Sequence, residues 1–236
     1  EAIEVRFTGH LRPHGTGKDV ALEMMRQLGE GGAGYRSIEF YDEDEALTMA
    51  ARMTLTNMAV DCGAKNGLFF PDEVTWGFME ARDGRRPEGM SLSPGSGYPH
   101  SIQINLSDLE PVVARPGSPA DVVSVSAAQP EAVDQVFIGS CCGGRLEDLH
   151  QAAAVLQGHR IPRSLRLVVT PASRKVYQSA VLDGTVATLI AAGAMVTTPS
   201  CGACGGIDKG ILGKGEVRIS TSNRNFRGRM GDNSAR

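Results

Sequence analysis

"VDQVFIGSCCGGRLEDLHQAAAVL", residues 133–156, reads as a buried strand that runs straight into a glycine-rich loop and out into a helix. The run VDQVFIGS carries the apolar character of a strand covered on both faces, and Leu146–Leu156 has the spacing of an amphipathic helix. Between them stand two neighbouring cysteines, Cys141 and Cys142, and two glycines. Strand, tight loop and helix in that order make the first half of a βαβ unit, which implies a parallel sheet.

The same order recurs on both sides. Upstream, Ile3, Val5 and Phe7 point one way along a strand, and Lys18–Leu28 predicts a helix stopped by Gly29. Ser37–Tyr41 follows as a strand, Asp44–Val60 as a longer helix, Gly67–Phe70 as a strand, and Asp72–Arg82 as a helix with Asp72 at its cap. Residues 83–100 are rich in Pro, Gly and Ser and predict a long surface loop. SIQINL from Ser101 reads as a strand and ARPGSPAD as a connector. Downstream of Leu156, LRLVV is a strand, Tyr177–Ala192 is helical with a break at Gly184, and residues 194–199 and 216–220 are strands. No internal repeat shows in the sequence. The expected fold is α/β, two doubly wound βαβ modules with parallel or mixed sheets.

Composition narrows the function. With 236 residues and 41% hydrophobic content the chain can bury a real core. A net charge of -3 with interspersed signs, and no basic block, argues against a nucleic-acid surface. No apolar run approaches the roughly 20 residues of a membrane helix, and the first residues lack the order of a signal peptide, so the cytoplasm is the expected compartment. Five cysteines, an odd number, suit a reducing environment where thiols bind metal or fill core.

Three strands empty into three polar, glycine-rich loops: IGSCCGG, SCGACGG and TSNRNFRGRMG. In open parallel sheets ligands bind at the carboxyl ends of strands. Cys201 and Cys204 form a CxxC, a spacing shared by zinc, iron–sulfur and dithiol sites. A third cysteine in a similar loop makes three sulfurs, one short of a closed metal site, which leaves an open corner for chemistry. Asn223, Arg224 and Arg229 add an amide and two guanidinium forks, the groups that match a carboxylate.

Together these loops, with Arg145 and Glu147-Asp148-Leu149 after IGSC and the stretch RMTLTNMAVDCGAK at residues 52–65, resemble the aconitase superfamily. The likeness is to the large subunits of the 3-isopropylmalate dehydratase, homoaconitase and dimethylmalate dehydratase branch, and it runs along nearly the whole chain. The resemblance implies a [4Fe–4S] cluster on Cys141, Cys201 and Cys204 and a hydro-lyase acting on a 2-hydroxy di- or tricarboxylic acid. It implies Arg224 and Arg229 as carboxylate binders, Asn57 and Asn223 as hydrogen-bond donors to substrate, and Asp61 as a catalytic carboxylate near the reacting oxygen. By its domain order, residues 1–115 correspond to the second α/β domain and 116–236 to an incomplete third. A preceding domain with aspartate–histidine motifs and a swivelling domain, often a separate small subunit, are then expected elsewhere, and the chain reads as an internal segment.

The chain departs from that pattern. Cys142-Gly143 stands where Thr-Asn is usual, and Asp61 replaces a glutamate. Cys142 reads as a size-matched replacement, with a reactive thiol as the other possibility, while the missing amide at Gly143 puts substrate class in question. A non-catalytic iron or redox sensor, binding a partner in its apo form, is the rival function. Cys62 reads as core. His10, His14, His100, His150 and His159 have no carboxylate at recognisable spacing, and GTGKDV at 15–20 fails as a phosphate loop because Arg12 and Asp19 occupy required positions.

Overall fold

The computed structural model of this protein describes residues 1–86, 97–129 and 131–236. Most of the loop expected at 83–100 lies outside the described residues. The chain divides into two units, Glu1–Val113 and Ala114–Arg236.

The first unit runs β1 (Ala2–Thr8), α1 (Gly17–Leu28), β2 (Ser37–Asp42), α2 (Met49–Met58), β3 (Asn66–Phe69), α3 (Glu73–Asp83) and β4 (His100–Asn105). Its sheet has the order β3-β2-β1-β4 and is parallel throughout. Alternation sorts the faces. Ile3, Val5 and Phe7 are buried, Val5 lies in register with Phe40 and Ile102, and the rings of Phe7, Phe40 and Phe69 stack. The intervening residues form a polar face on which Arg6 and Ser101 donate to Glu4 at 2.7 and 2.6 Å. The hydrogen bond from Arg6 holds the Glu4 carboxyl below the usual carboxylate range despite its burial.

Two sequence expectations shift in this unit. The helix expected from Asp44 begins only at Met49, because Asp42 accepts from the amides of Ala46 and Leu47 and holds them in a turn. Thr48 then caps the helix by accepting from Ala51. At its other end the helix stops at Met58, and residues 59–62 tighten into a 3-10 turn closed by Gly63 at φ 75°. GTGKDV is the start of α1: Thr16 and Asp19 cap each other, with the Asp19 carboxylate 2.9 Å from the Thr16 amide. A carboxylate of the chain itself thus takes the place a phosphate would want.

Arg52 of α2 is only 2% exposed, yet it is charged on both sides. Its guanidinium donates to Asp42 at 2.8 Å and Asp72 at 2.5 Å, and its Nε to the Leu47 carbonyl at 3.1 Å. One side chain therefore ties together the turn after β2, the start of α2 and the cap of α3, where Asp72 accepts from the Thr75 amide as expected.

The second unit carries β7 (Gln135–Gly139), α4 (Leu146–Leu156), β8 (Arg166–Thr170), α5 (Arg174–Leu182), α6 (Thr185–Ala192), β9 (Met195–Val196) and β10 (Arg218–Ser220). Two short strands, β5 (Val112–Ala114) and β6 (Val122–Ser124), precede them. The sheet order is β10-β7-β8-β9, again all parallel. The helical stretch breaks at Gly184, φ 86°, as expected, but starts at Arg174 because Ser173 caps it. Leu149, Ala153, Ala180, Val186 and Leu189 pack on Leu167 and Val169. Both units share one strand order: the first strand sits between the second and the fourth, and the third lies outside the second. The repeat is one of topology. Among the described residues no helix is long and apolar enough to cross a membrane.

Replacing Arg52 by Met should destabilise the first unit by about 3–5 kcal/mol, since two carboxylates lose a buried partner. Urea unfolding followed by Trp76 fluorescence checks it. Burial pushes the Asp72 carboxyl up, but the hydrogen bonds from Arg52 and Thr75 outweigh this and leave it lowered. Its contribution is therefore present above the unfolded value of 3.8 and is lost as pH falls through the lowered one. In R52M this acid-dependent share of stability should shrink.

Candidate active site

In the second unit the strand order reverses between β7 and β10, and a crevice at the carboxyl ends of such strands is where open α/β sheets bind ligands. The Cys141 loop follows β7 and the Asn223–Arg229 loop follows β10, so the two flank this point. Thr221 locks them together. Its hydroxyl accepts from the Gly139 amide at 3.0 Å and stands 2.8 Å from the Gly143 carbonyl, to which it donates. The loops approach so closely that a Cβ on Gly143 would collide with the Thr221 carbonyl oxygen. Gly143 is thus where backbone meets backbone, and a side chain there requires the loops to part.

The CxxC loop follows β9. Residues 202–205 form a 3-10 turn in which Ala203 and Cys204 are buried against Phe137 of β7 and Val168 of β8, while Cys201 is exposed. The turn folds back over the sheet and covers the face that the helices leave open. Thr170, at the end of β8, lies between the two cysteine loops. Its hydroxyl is 2.7 Å from that of Thr197, and a Cβ on Gly139 or Gly144 would run into its backbone. From β10 the buried Arg218 donates to the Ala203 carbonyl at 2.8 Å and to the Gly210 carbonyl.

Cys141 and Cys142 have their sulfurs 3.8 Å apart, the first exposed and the second buried. Among the described residues no group of three or more His, Cys, Asp or Glu is arranged to hold a metal ion. The topology explains this. β7 and β9 are two strands apart in the sheet, roughly 10 Å at 4.7–4.9 Å per strand, so Cys141 and the CxxC converge only if their loops reach over β8. Folding back of the CxxC turn onto Phe137 covers part of that distance. In donor chemistry the set fits a thiolate-held cluster: three soft ligands, two at CxxC spacing, on loops from one end of one sheet.

The arginine loop adds polarity. Asn223 is 6% exposed and Arg224 half-buried. The Nε of Arg229 is buried with no hydrogen-bond partner among the described residues, and the Arg229 carbonyl packs against Gly206, just past the CxxC. Arg227 is engaged elsewhere, donating to the Asn233 carbonyl at 2.9 Å. The sequence-predicted residues of the first unit form their own group: Asn57 is exposed on the last turn of α2, and Asp61 is half-buried in the 3-10 turn that follows. Cys62 is core as expected, and burial together with the Asp61 charge pushes its thiol up to about 12. His150 does have a carboxylate partner, the Asp183 side chain at 2.8 Å, at an exposed helix junction too remote in sequence to be seen by spacing.

Sequence reading missed Thr170, Thr221 and Arg218. Thr221 lay inside a quoted motif but bonds through geometry alone. Arg218 had a signal, a charged residue between Val217 and Ile219 in an apolar strand.

Two parallel α/β units, one with cysteine- and arginine-bearing loops at its strand ends, define the class of open-sheet proteins that bind small ligands at a topological switch point. Within that class the chain belongs to the aconitase family: the family model, described as aconitate hydratase, matches residues 1–236. It is 46% identical over 238 residues to "3-isopropylmalate dehydratase large subunit 1" of Deinococcus radiodurans, covering 100% of this chain and 53% of that protein. It is 44% identical over 233 residues to the "Probable methanogen homoaconitase large subunit" of Methanothermobacter thermautotrophicus, covering 98% and 54%. To "3-isopropylmalate dehydratase large subunit 2" of Rubrobacter xylanophilus it is 43% identical over 230 residues, 97% and 54%. The chain thus spans about half the length of these curated relatives. In fold it resembles the crystal structure of Thermococcus kodakaraensis aconitase X in its holo form, with a TM-score of 0.52 at 16% identity, covering 95% of this chain and 49% of that one.

Iodoacetamide at neutral pH should alkylate the exposed Cys141 and Cys201 and leave Cys62 untouched until the first unit unfolds, as peptide mass spectrometry would read. G143A should lower stability by about 1–3 kcal/mol, the usual range for forcing atoms into a filled space, measured as a fall in the urea midpoint.

Proposed function

We propose that this chain is part of the large subunit of a cytoplasmic hydro-lyase that dehydrates and rehydrates a 2-hydroxy di- or tricarboxylic acid of isopropylmalate type. The observation that carries the proposal is the placement of a CxxC, a third cysteine and two arginines on loops from the same end of one parallel sheet, with the Arg229 Nε buried and lacking an acceptor. The names of the relatives support the same reading.

In this reading Cys141, Cys201 and Cys204 hold a [4Fe–4S] cluster, which when bound supplies a Lewis acid for the substrate's hydroxyl and carboxylate. The chain's own residues do the rest of the binding. Arg224 and Arg229 take a carboxylate through their planar forks, and the buried Nε of Arg229 gains the acceptor it lacks. Asn57 and Asn223 donate to substrate oxygens. Asp61 is the catalytic carboxylate, supplying the proton with which the hydroxyl departs as water. The proton on the neighbouring carbon goes to a base on another domain, the small subunit, so that its bond electrons form the new double bond.

Anaerobic reconstitution of the full large subunit with iron and sulfide, followed by assay with the small subunit and 2-alkylmalates, citrate or homocitrate, tests the proposal. A cluster absorption band and turnover of one of these acids are expected. Loss of charge-assisted hydrogen bonds of about 1.5–3 kcal/mol should lower kcat/KM of R229K by about 10–100-fold. A well-folded protein that takes up no cluster overturns the reading. One that takes up a cluster, turns over no acid and changes its partner binding with cluster state is the iron or redox sensor instead.

A further inference from the structure

Arg218 is an odd residue for its position. It opens β10, the edge strand of the sheet, beside Gln135 of β7, and yet is only 8% exposed. Its guanidinium lies 5.7 Å from the centre of the Phe137 ring, the ring on which Ala203 and Cys204 pack. Burial pushes its pKa down to about 10, and the charge of Arg166 works in the same direction, while Cys204 and Glu216 oppose it. It remains a cation at neutral pH. Among the described residues no carboxylate accepts its hydrogen bonds. They go to two backbone carbonyls, Ala203 and Gly210. Ala203 lies inside the CxxC, and Gly210 lies farther along the same loop, close to Gln135 and Val168 of the sheet.

We propose that Arg218 is the positioning residue of the CxxC turn: it holds the turn through the Ala203 carbonyl, pins the following stretch of the loop through Gly210, and sets a buried positive charge beside Cys204. Only a planar fork spans two carbonyls from one stem. A lysine ammonium is a compact point charge on a flexible chain, and an apolar residue would leave two buried carbonyls unsatisfied. Covering Phe137 would need no charge, so simple packing does not account for a guanidinium here. The electrostatic half of the proposal rests on the cluster reading above. A fixed cation near a ligand sulfur favours the more reduced, more negative cluster, and so raises its reduction potential.

The test uses the full large subunit with Arg218→Lys, which keeps the charge and loses the fork, Arg218→Gln, which keeps a donor and loses the charge, and Arg218→Met, which loses both. Hydrogen exchange on apo protein reads the clamp at the amides of Cys204, Gly206 and Ile207, which bond within the turn to Cys201, Ala203 and Gly202. R218M should speed their exchange at least about 10-fold with β8 amides unchanged, and R218K should speed it several-fold. Redox titration of the anaerobically reconstituted protein reads the charge: R218Q and R218M should shift to more negative potentials, with R218K close to the parent. Unchanged exchange in both R218M and R218K overturns the clamp. Potentials that do not separate R218Q from R218K overturn the electrostatic half, leaving a packing role. Should the parent bind no cluster, the proposed function and the electrostatic half fall together, and the exchange measurements still decide the clamp.

Discussion

The loops of the second unit are held by one hydroxyl placed where two backbones touch. Thr221 accepts from the Gly139 amide and donates to the Gly143 carbonyl, and no side chain separates the strands' extensions at that point. Because β7 and β10 flank the reversal in strand order, this knot brings the Cys141 loop and the arginine loop to the same side of the crevice. Buried backbone groups must find partners, and a short β-branched hydroxyl is small enough to satisfy two of them without pushing the loops apart.

The same device appears at larger scale elsewhere in the molecule. Arg52 in the first unit and Arg218 in the second are buried cations that bind loop and turn groups across separate elements. Their surroundings differ. Arg52 meets two carboxylates, so it forms a paired network whose strength depends on both partners staying ionised. Arg218 donates to carbonyl oxygens and lies over the Phe137 ring, with no carboxylate among the described residues bonded to it. The first arrangement fixes the start of the helix that carries Asn57 and leads into Asp61. The second fixes the turn that carries Cys201 and Cys204.

The CxxC turn has two roles at once. Its Ala203 and Cys204 cover the sheet face over Phe137 and Val168, completing a core that the helices close only on the other side. Cys201 stays exposed beside it. The turn is thus anchored in the core at one end and exposed at the other, which suits the proposed site, whose third cysteine stands two strands away.

Much of this was legible in the residues themselves. The strand and helix periods, Asp72 as a cap, the break at Gly184 and the membership of Cys62 in the core are local properties, set within a few residues by burial, capping and φ preference. The candidate site residues could be nominated from residue type and spacing, and their roles stay part of the proposal. The true start of α2 was not, since Asp42 competes for amides that a periodic pattern assigns to the helix. Nor were the shared strand order, the Thr221 knot, the Arg218 clamp and the two-strand gap between cysteine loops. Those depend on which strands become neighbours, and neighbouring β8 to β7 and β10 to β7 joins residues up to 83 positions apart. Sequence alone determined the elements and the chemical groups they carry; tertiary structure decided which of those groups meet, because parallel pairing is a long-range choice that no local pattern encodes.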